Sequence, residues 1–297
     1  MVTEILYGSV PQRRGSVEIY YERFKNLCGS AKDPAGATLS YSGIKCNRYL
    51  NTKMSFYAEA APNIDTTLGL IRQRRLAIPD YLPNQLRNGK AQPEDMEAFL
   101  NLAVEAGKFS TGTSASGDRD ISAAVQAFSD SALGVDCTGL VYGYIFRGQD
   151  TQMEDVKTKG KDGTWTTMKY DVLANGGSCP FFFSNYVDPT VGERGILWDP
   201  ATWQEGDVLL WMYSNGTKET RAPGHCALVV KADIAANILH FVQSGSDQGG
   251  GPEFVKKHMA GTAETTWKTR QSDSGLGYLS MGNAVENRFI CVRPKSH

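Results

Sequence analysis

The stretch GVDCTGLVYGYIF, Gly134 to Phe146, sets a thiol beside a carboxylate, follows it with two small residues and continues as an apolar run. A cysteine inside such a run packs as a small hydrophobe. Cys137 stands at its boundary instead. Asp136 is placed to cap a helix that begins there, which leaves Cys137 in the first turn. Unpaired backbone N–H groups and the positive end of the helix dipole then favour thiolate over thiol. A thiolate so placed is a nucleophile, and the same amides would stabilise an oxyanion. Thr138 and Gly139 are small enough to let a substrate approach the sulfur.

A nucleophilic thiol works with an imidazole. The chain has four histidines, at 225, 240, 258 and 297. His225 opens the strand-like run HCALVVK, and His240 lies inside the next one, ILHFVQ. If these runs form an antiparallel hairpin turning near Asp233–Ile234, position 240 faces about position 227. His240 then becomes a diagonal neighbour of His225. One ring would take the thiol proton while the other fixes its tautomer and orientation. A bulge would change the parity and offer Gln243 or Asn237 as the orienting residue. A metal site built from Cys137, His225, Cys226 and His240 is disfavoured. Neighbours on a strand point oppositely, and no paired ligand spacing occurs.

The elements that must position these groups fall into two regions. Ser16–Cys28 reads as a helix capped by Ser16, Ile64–Leu82 as a second closed by prolines, and Pro93–Phe109 as a third with acids in its first turn. CGSAKDPAGATLSYSG between the first two reads as loop. The Gly/Ser-rich STGTSASGDRD, Ser110 to Asp120, marks a boundary. Beyond it come a helix over Ile121–Ser131, the helix of Cys137, a polar insertion over about 147–180, and then the strand-like runs EGDVLLWMY, HCALVVK, ILHFVQSG and NRFICVRP. The expected fold class is α+β: a mainly helical region over 1–115, then a domain over 116–297 with an antiparallel sheet packed on the nucleophile helix.

Composition narrows the function classes. Of 297 residues, 41% are hydrophobic and 21% charged, with a formal net charge of -1. No basic footprint for nucleic acid exists, and no run approaches the roughly 18 apolar residues of a membrane span. MVTEILYGSVPQRRG lacks the basic and apolar regions of a secretory signal. The expected location is therefore the cytoplasm of the producing cell, with any export by a leaderless route. The six cysteines form no Cys-x-x-Cys pair and are too sparse for a disulfide framework. Cys226 and Cys291 read as core.

DCTGLV resembles the nucleophile motif of the NlpC-type cell-wall cysteine peptidases, a family with a compact papain-like fold. WQEGDVLLW, GHCALVV and NILHFV are similar to that family's later strands in the same order, and RFICVRP resembles its closing strand. The resemblance covers roughly Ile121 to Pro294. It implies cleavage of amide bonds in peptidoglycan stem peptides. Cys137 would be nucleophile, His225 general base and then acid, and His240 the orienting residue. The reading of the residues themselves adds Asp136, Thr138 and Gln243 in supporting or oxyanion roles. No metal or organic cofactor is implied. A wall enzyme without a leader implies dedicated delivery, as for an injected toxin with an inhibitor (immunity) protein, or a phage lysis enzyme. Two features depart from the family: 88 residues separate Cys137 from His225, and the aromatic segment usual before the nucleophile is replaced by AAVQAFSDSALGV. Rival readings keep the thioester chemistry in an acyltransferase, lipid hydrolase or deamidase, or keep the fold as a non-catalytic binding module.

Overall fold

Ser16 stands before the first described helix, its Oγ accepting the Ile19 N–H at 3.1 Å. The computed structural model describes residues 15–52, 55–110, 119–146, 156–159, 165–168, 179, 196–211, 213–214, 218–219, 224–236, 238–245, 250–258, 268–271, 277–280 and 288–294. The helices are α1 (Val17–Lys25), α2 (Ser55–Gln73), α3 (Leu82–Arg87), α4 (Pro93–Glu105), α5 (Ser122–Ala132) and α6 (Cys137–Phe146). Strands β1 (Leu27–Lys32), β2 (Thr38–Ile44) and β3 (Arg119–Asp120) form one small sheet. Two two-stranded ribbons follow: β4 (Val156–Lys159) with β5 (Trp165–Met168), and β7 (Tyr213–Ser214) with β8 (Lys218–Glu219). The large sheet comprises β6 (Val208–Trp211), β9 (His225–Asp233), β10 (Ile238–Ser244), β11 (Pro252–His258), β12 (Lys268–Gln271), β13 (Gly277–Ser280) and β14 (Arg288–Val292), in the order β11-β10-β9-β6-β14-β13-β12. From β10 to β12 neighbouring strands pair antiparallel. The class is α+β.

The chain divides into two interleaved compact units. One, here the thiol unit, comprises Tyr21–Leu140 and Ser244–Glu253; the other, the sheet unit, comprises Met1–Tyr20, Val141–Gln243 and Phe254–His297. Residues 111–118 of the expected boundary, the aromatic run at 180–189, Asn237, His297 and most of 147–180 lie outside the described residues.

In the thiol unit the segment expected as loop after α1 is a hairpin, and α1 ends at Lys25. Leu27 pairs with Ile44 and Lys32 with Thr38. Asp33 makes the turn, its Oδ1 accepting from the N–H groups of Ala35 and Ala37 at 2.9 Å each. Gly and Ser hid a real alternation, since Leu39 and Tyr41 are buried from one face of β2. Tyr41 also donates its hydroxyl to the Glu97 carbonyl on α4 at 3.1 Å. Cys46 follows this hairpin, buried and in no disulfide. Burial pushes its thiol up to about 12, against about 8.5 in an unfolded chain. Between those values the folded state keeps a proton that the unfolded state has released, so stability falls as pH rises. The slope approaches about 1.4 kcal/mol per pH unit. Urea midpoints measured from about pH 8 to about pH 10.5 should decline, and Cys46→Ala should remove part of that decline.

The sheet unit owes its apolar strand sequences to burial on both faces. Leu209, Trp211, Ala227, Val229, Leu239, Phe241 and Cys291 form one core layer with Leu197 and Trp203. Val208, Leu210, Cys226, Leu228 and Val242 project from the other face and are equally buried. Asp207 anchors the start of β6: Arg293 grips its two carboxylate oxygens at 2.8 Å each, and the Gln204 N–H donates to it at 2.7 Å.

Candidate active site

The nucleophile half belongs to the thiol unit. Asp136 stands immediately before α6 with its carbonyl accepting the Leu140 N–H at 3.0 Å. Its Oδ1 accepts the Gly139 N–H at 2.6 Å. Asp136 is thus the N-cap, and Cys137 is the first helical residue. Around this cap the chain is pinned from three directions. The Asp136 N–H donates to the Gly89 carbonyl at 2.8 Å and the Val135 N–H to that of Arg48 at 3.1 Å. Ser244 donates its hydroxyl to the Val135 carbonyl at 2.5 Å.

Lys90 closes the arrangement. Its ammonium donates to both Asp136 oxygens, at 2.7 and 2.6 Å, and to the Thr138 hydroxyl. Thr138 in turn donates to Asp136 at 3.1 Å. All three side chains are buried. Burial pushes the Asp136 carboxyl above the ordinary carboxylate range; the Lys90 ammonium opposes that, and negative charge on Cys137 adds to it. Gln92 bridges the same region, donating to the carbonyls of Lys90 and Gly139 at 3.0 Å each. A Cβ on Gly139 would overlap the Gly89 carbonyl oxygen and lie 3.0 Å from the Lys90 Cα. Thr138 and Gly139, expected to open a path for substrate, are instead packed and bonded inside the unit. Cys137 itself is 5% exposed, and the Tyr49 hydroxyl lies 3.9 Å from its sulfur.

The histidine half belongs to the sheet unit. His225 begins β9 opposite Trp211, their ring centroids 5.3 Å apart. Its Nε2 lies 2.9 Å from Gln243 Oε1. An amide oxygen only accepts, so in this contact the ring donates from Nε2. The hairpin turns two residues later than expected, with Ile238 opposite Asp233 and His240 opposite Lys231. A register shift between His240 and Phe241 then sets Gln243 opposite Ala227. His240 is therefore six positions along β9 from His225, about 20 Å, and its ring meets Phe254 edge-on at 6.0 Å. The expected contact between the two imidazoles is replaced by the contact with Gln243.

His225 and Cys226 project from opposite faces of β9. Cys226 and Cys179, both buried, have sulfurs within 4.8 Å of one another. No helix among the described residues is long and apolar enough to cross a membrane.

No family model, curated protein or solved structure matches this chain. The likeness to the NlpC-type peptidases rests on the quoted residues alone. Lys90, Tyr49 and Gln92 were not among the residues expected at the site. Lys90 sits in the polar stretch NGKAQP, which carries no apolar pattern to signal its burial.

Proposed function

We propose that the protein is a cysteine hydrolase of amide bonds with Cys137 as nucleophile, His225 as base and Gln243 as the residue that orients the base. The observation that carries this reading is Cys137 at the first position of an Asp136-capped helix. There the amide dipoles of the first turn favour negative charge on sulfur and on a developing oxyanion. The His225–Gln243 bond supports it, because it holds the ring in one orientation with its proton on Nε2. Sulfur attacks the carbonyl carbon, the C–N bond breaks, and imidazolium returns its proton to the departing amine. Water then adds to the thioester carbon, giving a proton to imidazole; the C–S bond breaks, releasing the acid and returning the thiolate beside imidazolium. A peptidoglycan stem peptide is the substrate class, with a papain-like NlpC-type domain as the fold.

The test is mass spectrometry of soluble products from purified peptidoglycan treated with the full chain and with Cys137→Ala. New peptide termini with the native chain alone support the reading. Fatty acid or ammonia released from other substrates would move the assignment to a lipid hydrolase or deamidase. In the same assay Gln243→Leu should lower kcat by about ten- to a hundredfold, the loss of one orienting hydrogen bond. His240→Ala should leave kcat within about twofold. The reverse ranking returns the orienting role to His240.

A second reading has its own observation. Cys137 is nearly as covered as the core thiols, at 5% exposed against 0% for Cys46 and Cys291. That favours a binding module in which the thiol only packs, and inert Cys137 under alkylation would select it.

A further inference from the structure

We propose that Lys90 is a positioning residue for Cys137: by bonding the side chains on both sides of it, Asp136 and Thr138, its ammonium neutralises the cap carboxylate and lets the helix end act on the sulfur. The proposal deepens the cysteine-hydrolase reading and rests on Cys137 being the reactive thiol. The N-cap that builds this helix end is also its weakness as a thiolate site. Asp136 supplies the acceptor for the Gly139 N–H, but it also sets a negative charge on the residue next to the nucleophile. Two adjacent anions in a buried site repel strongly. A neutral cap would avoid this while accepting a weaker hydrogen bond.

Lys90 resolves the conflict without losing the cap. Three donors of one ammonium are matched by three acceptors: both Asp136 oxygens and the Thr138 hydroxyl. The group is confined there, since Lys90 is 4% exposed and its backbone is held by N–H donation to the Gln85 carbonyl at 2.8 Å. Cation and carboxylate then cancel locally, and the sulfur experiences the amides of the first turn. Tyr49 also faces the sulfur from this unit, but a neutral phenol leaves the charge balance unchanged. The Asp136 carboxyl is coupled to charge on both Lys90 and Cys137, as this account requires.

The test measures the pH midpoint of Cys137 alkylation by iodoacetamide, read by peptide mapping, in the full chain and three variants. Lys90→Met leaves the carboxylate uncompensated and should raise the midpoint by about one unit or more. Asp136→Asn keeps the cap acceptor, leaves the cation alone and should lower the midpoint by a similar amount. The double variant Lys90→Met/Asp136→Asn is neutral and should return close to the native value. If Lys90→Met fails to fold, Asp136→Asn and the double variant still decide the matter. Midpoints unmoved in these variants, with the native fold retained by circular dichroism, overturn the proposal. A midpoint pattern as expected in a chain that cleaves no amide keeps the role of Lys90 and removes the hydrolase reading. Hydrolysis with unmoved midpoints does the reverse.

Discussion

Cys137→Ser is expected to lower amide hydrolysis by at least about a thousandfold while leaving the fold intact. The substitution keeps size and a hydrogen-bonding group, so the packing beside Tyr49 survives. What it removes is acidity. A helix end and an imidazole can bring a thiol with a pKa of about 8.5 into ionisation near neutrality. The same perturbation leaves a hydroxyl protonated. The measurement is kcat on soluble stem-peptide amide, accompanied by thermal unfolding of the same sample. A Cys137→Ser protein with more than a tenth of native kcat would show that the chemistry lies elsewhere.

The largest expected effect on stability comes from Lys90→Met, at about 3–5 kcal/mol, as for removing one partner of a buried ion pair. The loss of attraction is only part of it. Asp136 is itself 3% exposed and cannot turn to water without surrendering the Gly139 N–H and opening α6. It must stay as a buried anion or take up a proton. Mild acid should therefore restore part of the stability of Lys90→Met, because burial already holds this carboxyl's pKa high and without the cation it rises further. A folded-state pKa above the unfolded one means that the folded state binds the extra proton, so stability is fully present below the unfolded value and is lost as pH rises through the folded value. Urea unfolding of native chain and variant near pH 5 and near pH 8 checks this: the deficit should shrink at the lower pH. An equal deficit at both pH values contradicts a charge origin.

Much of the arrangement was legible in the sequence because it is local. An acid before a cysteine, small residues and then an apolar run mark an N-cap and a first turn, and the structure places Asp136 and Cys137 so. The strands of β6, β9, β10 and β14 were equally plain, since long apolar runs between turn residues leave few choices. Which side chain meets His225 stayed open in the sequence between His240, Gln243 and Asn237, for it depends on one register shift after His240 and on where the turn after Asp233 closes. Either changes which side chain reaches His225, and neither changes the hydrophobic pattern. The β1–β2 hairpin was hidden by Gly and Ser, residues that serve loops and edge strands alike. Lys90 lies 46 residues before Asp136 in a polar stretch. Only the folded chain, through the carbonyl of Gly89 and the bare α-carbon of Gly139, brings its ammonium to the cap.

The central claim is that Cys137 ionises with the help of His225. The most direct test follows alkylation of Cys137 against pH in the native chain and in His225→Ala, with Cys46 and Cys291 mapped in the same digests as buried references. The account predicts a midpoint for Cys137 clearly below about 8.5 in the native chain and a rise in His225→Ala. A Cys137 as inert as Cys46, or a midpoint at or above that value and indifferent to His225, would contradict it.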